Sequence, residues 1–218
     1  METYLGRHDC IELDVTVQIP SSTPFINLSF LYSTIYISGT LKAKIGNLDL
    51  STEAGSIRSD TTSLSTNSTD IKTSAGSIRG HYILGENLYL KSQAGSIDIK
   101  VEVDTSIKSP KANFHTHSSA GSTLVYLLPH LKHRNQIAAV HHSQAGGMRL
   151  GYPFDWEGKV EGSTSAGSLT IRGKGLEIVE SGGGFGNRYE KAVKGDHWEE
   201  KGTVDISTSA GSVMFELE

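Results

Sequence analysis

The sequence predicts an all-β fold: a single-domain, right-handed parallel β-solenoid (β-helix) of about eight or nine coils with SAGS-type corners. Three observations predict it. A short Ala-Gly phrase returns seven times, and the gaps between its alanines are 21, 19, 26, 25, 21 and 44 residues. The repeats are carried by β-type residues, and helix-forming patterns are scarce. Right-handedness follows from the rule for crossovers between parallel strands.

Each copy of the phrase is predicted to form a corner between two strands. Apolar and polar residues alternate before the alanine, and the alternation changes parity after it, which indicates a bend at the glycine that follows. The corner alanines are Ala54, Ala75, Ala94, Ala120, Ala145, Ala166 and Ala210.

Alignment of the copies on these alanines predicts two rows of inward side chains. The first row, two residues before each alanine, carries small hydroxyls: Thr52, Thr73, Ser92, Ser118, Ser143, Thr164 and Thr208. The second row, three residues after each alanine, is mostly apolar: Ile57, Ile78, Ile97, Thr123, Met148, Leu169 and Val213. Stacked coils place the members of a row about 4.8 Å apart, so hydroxyls can satisfy one another or the backbone.

The chain divides into a leading segment and one continuous body. Residues 1–29 are predicted to form an N-terminal strand and cap, because apolar residues alternate along 11–19 and the pattern stops at Pro20. Residues 30–218 are predicted to form the solenoid.

The last and longest gap is predicted to hold two coils, one of them degenerate. The stretch LEIVESGGGFG is the expected remnant of that coil, and the path of the chain across 172–204 stays open. Short helical turns are expected only near 127–136 and 188–194.

Composition excludes several classes of protein. With 20 Lys+Arg against 24 Asp+Glu, the chain has no basic excess of the kind that nucleic-acid-binding proteins use. No stretch approaches the roughly 20 apolar residues of a membrane span, and the N-terminus lacks a signal-peptide pattern. A single cysteine, Cys10, excludes an internal disulfide framework and fits a reducing, intracellular compartment better than secretion, although two N-x-S/T sequons leave the compartment open. No cofactor is predicted, because GGGFG lacks the Lys-Ser/Thr of a phosphate-binding loop.

The repeated corner, the period near 20 residues and the segment GYPFDWEGKVEGSTSAGSLTIRGKGLEIVESGGG resemble fungal members of the DUF4097-like adhesin group. The resemblance covers roughly residues 30–218. It implies a β-solenoid with adhesin-like ligand binding, and it supplies no catalytic residues.

Histidines gather in the outward positions of neighbouring predicted coils. The candidate face contains His115, His117 and His142, with Tyr89 and Lys91 on one side and Glu161 on the other. Three imidazoles beside a carboxylate could hold Zn²⁺ or provide acid–base groups near neutral pH. The competing interpretation is a solvated sheet face without chemistry. His141 falls on an inward position, so it is either a satisfied core histidine or a sign that the register slips by one residue.

Aromatic residues follow three of the corners and predict a second candidate surface. The strip consists of Tyr82, Tyr126, Tyr152, Phe154 and Trp156. Such a strip could bind a sugar or a hydrophobic small molecule, and the alternative is packing at the turns around Pro129 and Pro153.

These features favour a non-catalytic binding or scaffold module, adhesin-like, that engages a glycan or a protein through a solenoid face. The alternative is a small-molecule enzyme (a cyclase, isomerase or lyase of a biosynthetic pathway) acting at the histidine face beside the insertion at 127–136. Self-association through open solenoid edges is a further possibility that the pattern allows.

Overall fold

The computed structural model describes residues 16–38, 44–60, 64–107, 109, 111–129 and 136–218. Across these ranges the chain is all β, apart from one 3₁₀ turn at Trp198–Glu200, and no helix in them is long and apolar enough to span a membrane. The strands are β1 (Ser22–Phe30), β2 (Ile35–Ile37), β3 (Lys44–Ala54), β4 (Ile57–Ser59), β5 (Ser65–Ala75), β6 (Ile78–Leu84), β7 (Asn87–Ala94), β8 (Ile97–Val103), β9 (Lys111–Ala120), β10 (Thr123–Leu127), β11 (Gln136–Ala145), β12 (Met148–Tyr152), β13 (Gly158–Thr164), β14 (Leu169–Gly173), β15 (Glu177–Gly183), β16 (Arg188–Lys194), β17 (Gly202–Ala210) and β18 (Val213–Leu217).

The strands build two sheets. A ten-stranded sheet has the order β1-β3-β5-β7-β9-β11-β17-β13-β16-β15, and an eight-stranded sheet has the order β14-β18-β12-β10-β8-β6-β4-β2. Neighbouring strands are parallel except where β16 pairs with β13 and with β15. The prediction of an all-β fold with parallel sheets is therefore confirmed.

The corners carry the chain from one sheet to the other. β5 ends at Ala75 and β6 begins at Ile78 in the opposite sheet, as the predicted change of parity requires. At six of the seven corners the glycine amide donates to the alanine carbonyl of the neighbouring corner, as from Gly121 to Ala145 over 3.0 Å. The bends are thus joined to one another by hydrogen bonds, like the strands on either side of them.

Both predicted inward rows are confirmed. All seven hydroxyl-row residues and all seven second-row residues are buried between the two sheets. Most hydroxyls of the first row bond the corners: Thr73 donates to the Gly55 carbonyl over 2.9 Å, and Ser92 donates to the Gly76 carbonyl over 3.0 Å. The row therefore exists because the bends leave carbonyls inside the core that need donors.

The end of the stack departs from the predicted order. β17 lies between β11 and β13, and β18 lies between β12 and β14, so the last strand pair inserts between two earlier ones. The corner hydrogen bonds follow the same order, from Gly146 to Ala210 over 2.9 Å and from Gly211 to Ala166 over 2.8 Å. The predicted placement of Glu161 beside the histidines presupposed that successive repeats pair in chain order, and these strands do not.

The predicted degenerate coil is a hairpin. β15 and β16 pair with each other in antiparallel fashion and extend only the ten-stranded sheet. The stretch expected to form a helical turn, 188–194, is strand β16. All seven residues of β15 are exposed.

The N-terminal strand also differs from its prediction. Residues 16–20 form no strand, and residues 11–15 lie outside the described ranges. The first strand, β1, begins after Pro20, which has no amide hydrogen to donate to a ladder.

Candidate functional site

The outward face of the ten-stranded sheet brings four nitrogen-bearing side chains into one row. In the pairing register Lys72 lies opposite Lys91, Lys91 opposite His117, and His117 opposite His142. We call these four residues the cationic row. Ser51 continues the row at one end and Ser207 continues it at the other.

The two histidines of the row form a stacked pair. The rings of His117 and His142 lie 5.0 Å apart, centroid to centroid, with an angle of 20° between their planes. His142 Nδ1 lies 2.9 Å from the Ser207 hydroxyl, which fixes the ring against β17. Partial burial, and then the neighbouring His142 and Lys91, hold the pKa of His117 below its usual value.

His115 occupies the next outward row, beside Tyr89. The two rings are 6.3 Å apart and tilted by 43°. On the other side His115 faces Val140 and not another histidine, so the three predicted histidines form a stacked pair and a separate member. Among the described residues, no three His, Cys, Asp or Glu side chains form a group that could hold a metal ion.

Glu161 does not border the histidines, contrary to prediction. β17 separates its strand from β11, and Asp205 occupies the position between Val140 and Glu161. Glu161 contacts Lys159 at 3.1 Å and Lys191 at 3.4 Å, and the hydrogen bond from Lys159 is the main cause of its lowered pKa. A carboxylate neutralised in this way is a poor partner for a catalytic imidazole.

The predicted aromatic strip does not exist as one surface. Tyr152 and Trp156 are buried in the core, where Tyr152 packs against Phe215 with ring centroids 5.1 Å apart. Tyr126 is half-buried on the outside of the eight-stranded sheet, facing away from the histidines. Among the predicted ligand-binding residues Tyr89, Lys91, Tyr126, Tyr152 and Trp156, only Tyr89 and Lys91 lie on the face that carries the histidines.

His141 is a satisfied core histidine, and the register does not slip. Its side chain is fully buried, with Nδ1 2.8 Å from the Thr116 hydroxyl and Nε2 2.9 Å from the Tyr152 hydroxyl. A neutral imidazole offers one donor and one acceptor, so one hydroxyl donates and the other accepts. Burial lowers the pKa of His141 to about 3, so the ring is neutral at physiological pH.

This buried imidazole should make the fold acid-sensitive. At pH values between the unfolded pKa of about 6.5 and the folded pKa near 3, His141 is protonated in the unfolded chain and neutral in the folded chain. The contribution of His141 to stability is complete above that range and falls by about 1.4 kcal/mol per pH unit as the pH drops through it.

Urea unfolding of the wild type and of His141→Gln across this range tests the expectation. The variant should be less stable near neutral pH, because the hydroxyls of Thr116 and Tyr152 lose well-placed partners, and its stability should fall less steeply with acid. Equal slopes for the two proteins would contradict a neutral buried His141.

A groove lies beside the cationic row. It holds about 250 Å³ and is lined by residues of β1, β3, β5 and β7, among them Ser51, Glu53, Lys72, Lys91 and Gln93. Sequence reasoning did not identify the groove or Lys72, although the register of the corner alanines already placed Lys72 next to Lys91.

Comparison with known proteins adds one match. A family model described as a domain of unknown function, DUF7330, matches residues 84–174, which include all the histidines of this face. No curated protein and no solved structure matches the chain. The family description carries no activity, so the resemblance to the DUF4097-like group stays a prediction.

Proposed function

We propose that the chain is a non-catalytic, adhesin-like binding or scaffold module that engages a glycan or a protein through the outward face of its ten-stranded sheet. In this proposal the two sheets are the walls of a right-handed parallel β-solenoid. Each coil consists of one strand from each sheet and one Ala-Gly corner, with handedness following the rule for parallel crossovers. The DUF4097-like resemblance supports the adhesin-like role.

The observation that carries the proposal is the form of the histidine face. Its side chains stand in straight rows on strands whose backbones are paired on both sides, from β3 to β11. The adjoining groove, at about 250 Å³, falls below the roughly 300–1,000 Å³ of typical small-molecule sites. An open face with regular rows suits a repeating or extended partner better than an enclosed substrate.

The enzyme alternative loses support from the same geometry. Its predicted acid–base partner, Glu161, is separated from the histidines by β17 and is paired with two lysines. Residues 130–135 of the insertion predicted to lie beside the site are outside the described residues. A hydrophobic small-molecule ligand is also less favoured, because Tyr152 and Trp156 are buried.

Self-association through a sheet edge is part of the proposal. β15 is the last strand of the ten-stranded sheet, and its seven residues, including Ile178 and Val179, are exposed. An exposed strand edge can pair with a strand from another chain.

Binding to a glycan array and to a protein array tests the proposal. The face variant Tyr89→Ala/Lys91→Ala should lose at least about tenfold in affinity for any ligand found, because aromatic and charged contacts carry most interface energy. The matched control, Tyr126→Ala/Lys100→Ala, makes the same changes on the outside of the other sheet and should bind normally. Equal losses in both variants, or no ligand at all, would refute the proposal.

Substitution of the histidine pair tests whether both rings lie on the outward face. His117→Ala/His142→Ala should change the free energy of unfolding by less than about 1 kcal/mol, because both rings are half-buried on an outward face. Thermal unfolding measures this effect. A large drop in Tm would show that the rings support the core instead of a binding face.

A further inference from the structure

From Lys91 to His142 the cationic row has no acidic partner among the described residues, although its first member, Lys72, is paired. Lys72, at one end, is bonded to Asp70 at 2.6 Å. Lys91 forms no ion pair with any described residue, and beside it follow His117 and His142. A row of this kind leaves like charges next to one another whenever the histidines are protonated.

We propose that the cationic row binds the carboxylates of an anionic glycan, a linear sugar chain that carries uronic-acid groups and crosses strands β7, β9 and β11. This inference rests on the proposed function and deepens it by naming the class of ligand.

The surroundings of the row determine what it can attract. On its own strand His117 has His115 as its nearest charged or titratable neighbour, β7 presents Lys91 and Tyr89 to it, and β11 presents His142. Beyond His142, β17 contributes Ser207 to the row, while Asp205 lies in the row of His115. No carboxylate therefore lies within the row between Lys91 and Ser207. An anion from outside the protein can pair with these side chains instead.

The row beside it offers groups for sugar hydroxyls. One residue before the corners that end β5, β7, β9 and β11, the outward face carries Ser74, Gln93, Ser119 and Gln144, while β3 carries Glu53 at the same position. These hydroxyls and amides can both donate and accept hydrogen bonds. Gln93 and Ser74 also line the groove together with Lys91. A chain lying across the strands would place carboxylates over the cationic row and hydroxyls over this second row.

A glycan fits this surface better than an acidic peptide. Extended peptides gain much of their affinity by adding a strand to an open sheet edge. Strands β5 to β11 have paired neighbours on both sides, so only side chains are available here.

The binding should strengthen as the pH falls. Protonation of His117 is opposed in the free protein by partial burial and by Lys91 and His142, as its lowered pKa reflects. A bound carboxylate stabilises the protonated ring, so binding takes up protons and is favoured in acid.

Titration calorimetry of the full chain with a galacturonate hexamer tests the inference, at about pH 5.5 and pH 7.5 and equal ionic strength. We expect affinity at least about tenfold higher at the lower pH and weakening with added salt. Lys91→Gln/His117→Gln/His142→Gln should remove the pH dependence and lower affinity at least about tenfold. The control Lys100→Gln removes a charge from the other sheet and should leave binding unchanged.

The other outcomes separate the two proposals. If a neutral glucose hexamer binds equally well and Tyr89→Ala/Lys91→Ala abolishes it, the anionic class is wrong and the binding module stands. If hexaglutamate binds as tightly as the uronate, the glycan class is overturned. If the uronate binds but the triple glutamine variant is unaffected, the cationic row is not its site. If no glycan or protein binds the face, both proposals fail.

Discussion

Deletion of residues 202–218 is expected to abolish cooperative folding. The segment forms β17 and β18, which lie inside both sheets and not at their ends. Its buried apolar side chains are Val204, Ile206, Val213, Phe215 and Leu217. Burial of each side chain contributes about 1.5–3 kcal/mol. The loss of all five is therefore comparable to the whole free energy of unfolding of a typical domain, about 5–15 kcal/mol.

Urea unfolding and hydrogen exchange of the chain 1–201 measure the effect, and a peptide of residues 202–218 added in trans should restore protection. The inserted position of this segment would be contradicted if the truncated chain stayed folded and did not bind the peptide, because β13 would then pair directly with β11.

A matched pair of substitutions in the full chain tests whether buried side-chain contacts, and not merely the removal of a segment, account for the loss of stability. Phe215→Ala should cost about 3–5 kcal/mol because its ring is fully buried against Tyr152 and Trp156. Met214→Ala, one residue earlier on the outward side, should cost less than about 1 kcal/mol.

Substitution of a corner glycine should have the second largest effect. Gly146 has a φ of 138°, and a Cβ built on it would lie 2.2 Å from the Gly121 carbonyl oxygen of the adjacent corner. Both partners are backbone, so neither can move without breaking the row of corner hydrogen bonds. Gly146→Ala should therefore lower the free energy of unfolding by at least about 3 kcal/mol.

The next residue provides the control. A Cβ on Gly147 would meet only the Ser212 carbonyl oxygen, at an ordinary 3.4 Å. Serine occupies this position in the other six corners, so Gly147→Ser should be neutral or slightly stabilising. Urea unfolding of both variants measures the two changes in the free energy of unfolding. Similar losses of stability in the two variants would mean that the corners are not closely stacked.

Much of the site could be derived from parity alone. Met148 is inward, and Tyr152 is four residues further along the same strand, so alternation already places Tyr152 in the core. Tyr126, three residues after the inward Thr123, must face outward. The predicted aromatic strip failed because residues at different parities were grouped by their distance from the corner.

The separation of Glu161 from the histidines could not be derived in that way. The strands ending near Ala145, Ala166 and Ala210 share the same corner phrase and the same hydroxyl row, so each could pair with either of the others. The residues around Asp205 therefore do not indicate that its strand pairs between those of Val140 and Glu161.

The sequence by itself determined the features that every repeat shares. The corner period specified an all-β chain, the bends, both inward rows and the outward row that contains Lys91, His117 and His142, because strand alternation and the steric demands of a glycine corner act locally. Only the tertiary structure decided the order of the last strands and the hairpin of β15 and β16. Repeats with equivalent edges pair equally well by local rules, and the choice among them depends on how the whole core is filled.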